Sequence, residues 1–321
     1  MPDSPRNRWT DPSVILVATD LSDLDRLMPH ALDQAASTGA RLILLHVLAL
    51  SEAIASDASG MPYYDPGGAL DIAAKILSTW CETARKNSIV CDSVVREGNA
   101  AQQVLSAARQ FHADRILLGT RSRGKVSKLL IGSVAEQVLR SVHIPVITVG
   151  PEAHLPAGVN PPQRVVLHAT TLRETSRPSA VLAAQIAATL DARLVLLHVL
   201  PHLPEMQRRG LPTGLDSAAM QQLRDLAADT AAATALDSTV VIEPKVAHGN
   251  PSIEILAESS ERNACLIVLG ANHRSAFESL TRDRTVYKVL AHARCPVMTL
   301  RETLIDDEEN IIPRIAMHTQ A

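Results

Sequence analysis

DRILLGTRSRGKVSKLLIGSVAEQVLRSVHIPVITV, residues 114–149, reads as strand, loop, helix, strand. A short apolar run, Arg115–Leu118, ends at Gly119, and a basic loop with a glycine in it runs from Thr120 to Lys128. Val134, Val138, Leu139 and Val142 recur at helical spacing after Gly132-Ser133, and Ile144–Val149 is a second apolar run. Ser133-Val-Ala-Glu136 has the spacing of a capping box, which places a helix start at or next to Ser133. A helix start carries backbone N–H groups with no partner inside the helix, and a partial positive charge. With Gly132 beside it and Arg121, Arg123, Lys125 and Lys128 in the loop, the turn is a candidate anion site, most naturally for phosphate. The same residues equally describe a surface loop and a well-capped helix without a ligand, and the local pattern leaves both readings open.

The chain repeats itself. RLILLHVL (41–48) matches RLVLLHVL (193–200), EGNAAQQVLSAA (97–108) matches HGNPSIEILAES (248–259), and IPVITV (144–149) matches CPVMTL (295–300). Gly98 and Gly249, Gly119 and Gly270, and Pro145 and Pro296 are each 151 residues apart. The period is domain-sized and too long for a solenoid, so the chain is a tandem duplication. The boundaries are a first domain at 1–150, a Pro- and Gly-rich linker at 151–163, a second domain at 164–303 and a tail at 304–321.

Within the first unit, SVILVAT (13–19) is a continuous apolar strand ending at Asp20. A helix follows over 23–38, with Pro29 set to kink it or delay its start. The spacing then predicts a strand at 41–48, a loop at 49–67, a helix near 69–87, a strand at 89–98 and a helix at 100–111. Strands alternating with helices imply an α/β fold with a parallel sheet covered on both faces. Ligands of such sheets sit at the carboxyl ends of the strands, where the strand order switches. Asp20, Val47, Gly98 and Gly119 lie at strand ends and are candidates on that ground. Asn99 also reads as a helix cap, the plainer role for that turn.

Composition narrows the function. Residues 1–160 hold 15 basic and 16 acidic side chains, and 161–321 hold 16 and 18. Neither half is a polycation, and aromatic residues are 2% of the chain. Nucleic acid and anionic membrane are therefore excluded as main partners. Cys81, Cys91, Cys265 and Cys295 have no paired spacing and read as reduced, buried thiols. Residues 1–12 lack the apolar core of a signal peptide and no run is long enough to span a membrane, so the expectation is a cytoplasmic protein. No nucleophile elbow, Walker lysine motif or metal-binding helix motif is present, which argues against catalysis beyond a slow ATPase.

Gly119, two residues, Ser122, nine residues, then Gly132-Ser133 resembles the nucleotide motif of the universal stress protein family, with Ser122 standing where the family has its second glycine. The following GSVAEQVL and the proline in HIPVITV resemble that family too. The resemblance implies two tandem open parallel-sheet domains, Rossmann-like and adenine nucleotide alpha hydrolase-like. It implies that they form a pseudo-dimer through their last strands, 144–149 and 296–300, and that two chains pair further into a homodimer. The implied ligand is ATP or a related adenine nucleotide, with or without Mg2+. Asp20 then contacts the base or sugar, Val47 the adenine, and Gly119, Ser122, Arg123, Gly132 and Ser133 the phosphates. In the second unit Thr171 stands for Asp20, His273 for Ser122 and Asp283-Arg284 for Gly132-Ser133, so that unit is expected to be degenerate. The implied role is a nucleotide-dependent sensor or partner-binding protein of the stress response, with an unidentified protein partner. The alternatives are a nucleotide-independent interaction module with both sites vestigial, and an ATP-using enzyme.

Overall fold

The computed structural model describes residues 8–49, 54–56, 61–120, 131–155, 164–173, 176–201, 214–234, 240–271 and 284–301. In the first unit these form β1 (Val14–Thr19), α1 (Leu24–Thr38), β2 (Arg41–Leu48), a hairpin of β3 (Ile54–Ser56) and β4 (Pro62–Tyr64), α2 (Pro66–Lys86), β5 (Cys91–Glu97), α3 (Ala100–Gln110), β6 (Arg115–Gly119), α4 (Ser133–Ser141) and β7 (Val146–Val149). In the second they form β8 (Arg164–Ala169), α5 (Arg177–Thr189), β9 (Ala192–Leu200), α6 (Leu215–Thr234), β10 (Ile242–His248), α7 (Pro251–Glu261), β11 (Leu266–Ala271), α8 (Arg284–His292) and β12 (Val297–Arg301).

One ten-stranded sheet joins both units, in the order β10-β9-β8-β11-β12-β7-β6-β1-β2-β5. Within each unit every pairing of this sheet is parallel. The seam is the single antiparallel pairing in this sheet, with Val297 opposite Thr148, Met298 opposite Ile147 and Thr299 opposite Val146. The two units are thus a pseudo-dimer joined by their last strands.

The uninterrupted apolar strands have a physical cause. All six residues of β1 are buried, because helices cover both faces of the sheet. Successive side chains alternate between two cores. Ile15, Val17, Leu42, Leu44 and Leu117 pack with Leu27 and Met28 of α1 and Leu77 of α2. Leu16, Ile43, Leu45, Ile116 and Leu118 pack with Val104 of α3 and Val138 of α4. Both cores continue across the seam, one to Met298 and Leu300, the other to Val289 and Val297.

Several local expectations are corrected. Helix α1 runs through Pro29 from Leu24 and stops at Gly39, whose φ of 71° suits glycine and whose N–H reaches Ala35 O at 2.8 Å. Residues 54–56 and 62–64 form a hairpin inside the stretch expected to be a loop. Helix α2 begins earlier than expected because Asp65 accepts from the Gly68 N–H at 2.9 Å and Pro66 takes the first helical position. Strand β7 begins at Val146 rather than at 144. Cys81 and Cys91, ten residues apart and unpaired by spacing, meet in the core with their sulfurs 2.7 Å apart; all four cysteines are free. Among the described residues no helix is long and apolar enough to cross a membrane.

Candidate functional site

The carboxyl ends of β1, β2 and β6 converge with the starts of α3 and α4 around a cleft of about 130 Å³. A single water needs about 10–15 Å³ by the same kind of measure, so the cleft has room for part of a small organic ligand. It lies where β1 is flanked by β2 on one side and β6 on the other, the switch point of the first unit. Its lining mixes apolar side chains, among them Ala18, Leu45, Val47, Val104 and Leu118, with the polar side chains of Thr19, Asp20, Asp23 and Ser133 and the glycines Gly119 and Gly132. Five of the seven expected site residues (Asp20, Val47, Gly119, Gly132, Ser133) therefore line one cavity. Ser122 and Arg123 lie outside the described residues, as do Arg121, Lys125 and Lys128.

Local hydrogen bonds explain how each group is held. Asp20 accepts from the Ser22 N–H at 2.9 Å and the Ser22 hydroxyl at 2.6 Å, which fixes the turn after β1. Leu21, in that turn, has φ 68°, and its N–H donates to Thr19 Oγ1 at 2.9 Å. The second unit repeats this at Leu172, with φ 59° and a bond to Thr170 Oγ1, so the turn belongs to the fold rather than to one site. His46 Nδ1 stands 3.0 Å from Thr19 O, and His198 Nδ1 2.9 Å from Thr170 O. The same bond in both units marks the two histidines as structural. Asn99 caps α3 by accepting from Gln102 N at 3.0 Å, and Gly98 before it has φ 115°, matched by Gly249 at 141°.

The capping box is not formed. The cap residue of α4 is Gly132, Ser133 is the first helical residue, and Glu136 pairs with Arg140 at 2.7 Å instead of reaching back. Gly132 donates its N–H to Thr120 O at 2.7 Å, so the first donors without a helical acceptor are those of Ser133, Val134 and Ala135, all three in the cleft lining.

Asp23 was not singled out from sequence. It is 6% exposed and accepts the Thr19 hydroxyl at 2.6 Å, with Arg26 Nη2 at 3.9 Å. A Cβ added at Gly119 would run into its Oδ2, so a larger residue there would have to displace this carboxylate. Burial, opposed by the Thr19 bond and reinforced by Asp20, raises its pKa to about 6. The ionised form is thus held at a cost of about 3 kcal/mol at neutral pH. Asp23→Asn keeps the acceptor for Thr19 and removes the charge. It should raise stability at pH 8 by about 1–3 kcal/mol and leave it almost unchanged at pH 4, read from denaturant midpoints at the two pH values.

The second unit is different. Thr171, the counterpart of Asp20, has its Oγ1 2.9 Å from Ser176 Oγ. His168 is buried with Nδ1 3.0 Å from Val268 O, while His248 is exposed and pairs with Asp216. His273 and Asp283 lie outside the described residues, and no group of three metal-ligating side chains occurs among the described ones.

Comparison with known proteins agrees with this architecture. The model of the universal stress protein family matches residues 13–150 and again 163–301. A universal stress protein of Thermus aquaticus is 32% identical over 142 residues, 42% of this chain and 96% of that protein. One from Methanocaldococcus jannaschii is 26% identical over 144 residues, 42% of this chain and 80% of that protein. Among solved structures, a universal stress protein from Archaeoglobus fulgidus superposes with a TM-score of 0.65 at 19% identity, covering 90% of this chain and 96% of that one.

Proposed function

This chain belongs to the universal stress protein family, and from that premise we propose that its first unit binds ATP or a related adenine nucleotide in the β1–β2–β6 cleft. The chain then acts in the stress response as a nucleotide-dependent sensor or partner-binding protein. The observation that carries this reading is that Asp20, Val47, Gly119, Gly132 and Ser133, drawn from four separate stretches of the sequence, line one cavity that holds both apolar and polar groups. Val47, Leu45 and Leu118 suit the face of an adenine. Asp20 offers an acceptor to a ribose hydroxyl or an amino group. The N–H groups of Ser133, Val134 and Ala135, with the Ser133 hydroxyl, suit phosphate oxygens. Ser122 and Arg123 complete the phosphate contacts in this reading. The second unit serves as a degenerate partner without a triphosphate site.

Isothermal titration of ATP with magnesium into the intact protein tests this. One site per chain is expected, with adenosine binding more weakly than ATP. No heat from any adenine nucleotide would remove the reading and leave an interaction module with both sites vestigial. Turnover of ATP that disappears with Asp20→Ala would instead make the protein an enzyme.

A further inference from the structure

We propose that Tyr287, in the second unit, is a positioning residue for the phosphate-binding turn of the first; this rests on the nucleotide reading above. Its hydroxyl accepts a hydrogen bond from the Ile131 N–H at 2.7 Å, across 156 residues of sequence and across the seam between the units. Ile131 directly precedes Gly132-Ser133, the turn that lines the cleft. The next N–H, that of Gly132, goes to Thr120 O at 2.7 Å. The approach to α4 is therefore pinned twice, once by the end of its own strand β6 and once by helix α8 of the other unit. Ile131 itself is buried, so its N–H would lose this acceptor if the tyrosine hydroxyl were removed.

The residue at the repeat offset of 151 from Tyr287 is Glu136, which pairs with Arg140 on its own helix. The repeat that retains Gly132-Ser133 receives the support, and the repeat that carries Asp283-Arg284 supplies it. This gives the degenerate unit a function in the site: it holds the first backbone donors of α4 in place for a phosphate. A net hydrogen bond of ordinary strength corresponds to roughly a fivefold change in affinity.

Tyr287→Phe removes one oxygen and leaves the ring packed. ATP affinity measured by titration is expected to fall about fivefold while adenosine affinity stays unchanged, because only the phosphate contacts depend on the turn. Hydrogen exchange of the Ile131–Ser133 amides in the ligand-free protein should quicken in the variant. Thr299→Val, which removes the seam bond from Thr299 Oγ1 to Val146 O at 3.4 Å away from the cleft, should leave both affinities as they were. Equal ATP affinity in the parent and Tyr287→Phe overturns the assignment, as does an equal loss for ATP and adenosine. A parent that binds no ATP overturns the nucleotide reading and this assignment with it.

Discussion

Gly132→Asp is expected to weaken ATP binding at least a hundredfold without loss of stability. The backbone at Gly132 has φ −60° and ψ 144°, a conformation open to any L-residue and ordinary for a helix cap. An aspartate there would accept from the N–H groups of the first turn of α4 and would stabilise the helix by a few tenths of a kcal/mol relative to glycine. The same carboxylate would meet the phosphates. Two unit charges about 4 Å apart repel by roughly 4 kcal/mol at an effective dielectric of 20, whereas the helix dipole returns only about 0.3–1 kcal/mol. The balance of about 3 kcal/mol corresponds to a factor above a hundred in dissociation constant. Titration and a thermal scan on the same sample decide it: lost binding with an unchanged or slightly higher Tm is the expected result. Unaltered affinity would show that the phosphates do not approach α4. The substitution copies the second unit's Asp283, so a parent that binds two nucleotides per chain would contradict the same electrostatic argument.

The fold could be read from sequence because burial on both faces of a parallel sheet forces continuous apolar strands, and the duplication prints that pattern twice. The candidate cleft was legible to the extent that it is built at strand ends. Asp20, Val47 and Gly119 sit where the topology places ligands, and Gly132-Ser133 sits at a helix start. What escaped depends on tertiary approach. Asp23 looks like the cap of α1; that it is buried, with β6 ending close against it at Gly119, appears only in three dimensions. Tyr287 looks like one more residue of an amphipathic helix, and its role appears only once β7 and β12 pair. The capping box failed because the helix starts one residue early: the cap is Gly132, which has no side chain, and the position three residues on is Ala135, so Glu136 pairs with Arg140 instead. The β3–β4 hairpin was hidden by the Ser, Gly and Pro content of 49–67, which is as typical of a loop as of two short strands.

Acidification should destabilise the protein between pH 6.5 and 4, and two buried histidines set that window. His30 is 3% and His168 1% exposed, and burial lowers the pKa of each to about 4 from 6.5. Above pH 6.5 both are neutral in the folded and unfolded chain, and their contribution is complete. As the pH falls below 6.5 the unfolded chain takes up protons that the folded chain refuses, so stability drops until about pH 4, where the loss levels off. Each histidine can withdraw about 3 kcal/mol over that range, roughly 6 kcal/mol together. Asp23 works the other way: its folded pKa of about 6 lies above the ordinary 3.8, so the folded state binds the proton first and gains about 3 kcal/mol over the same interval. The net loss from the three groups is therefore on the order of 3 kcal/mol. Substitutions separate the terms. His168→Asn keeps a donor for Val268 O but does not titrate, so the loss between pH 7 and 4 should shrink by about 3 kcal/mol even if the variant starts less stable. Asp23→Asn should enlarge that loss by about the same amount. Denaturant midpoints across this range give the slopes directly. Parallel slopes for the parent and both variants would place the acid sensitivity elsewhere in the molecule.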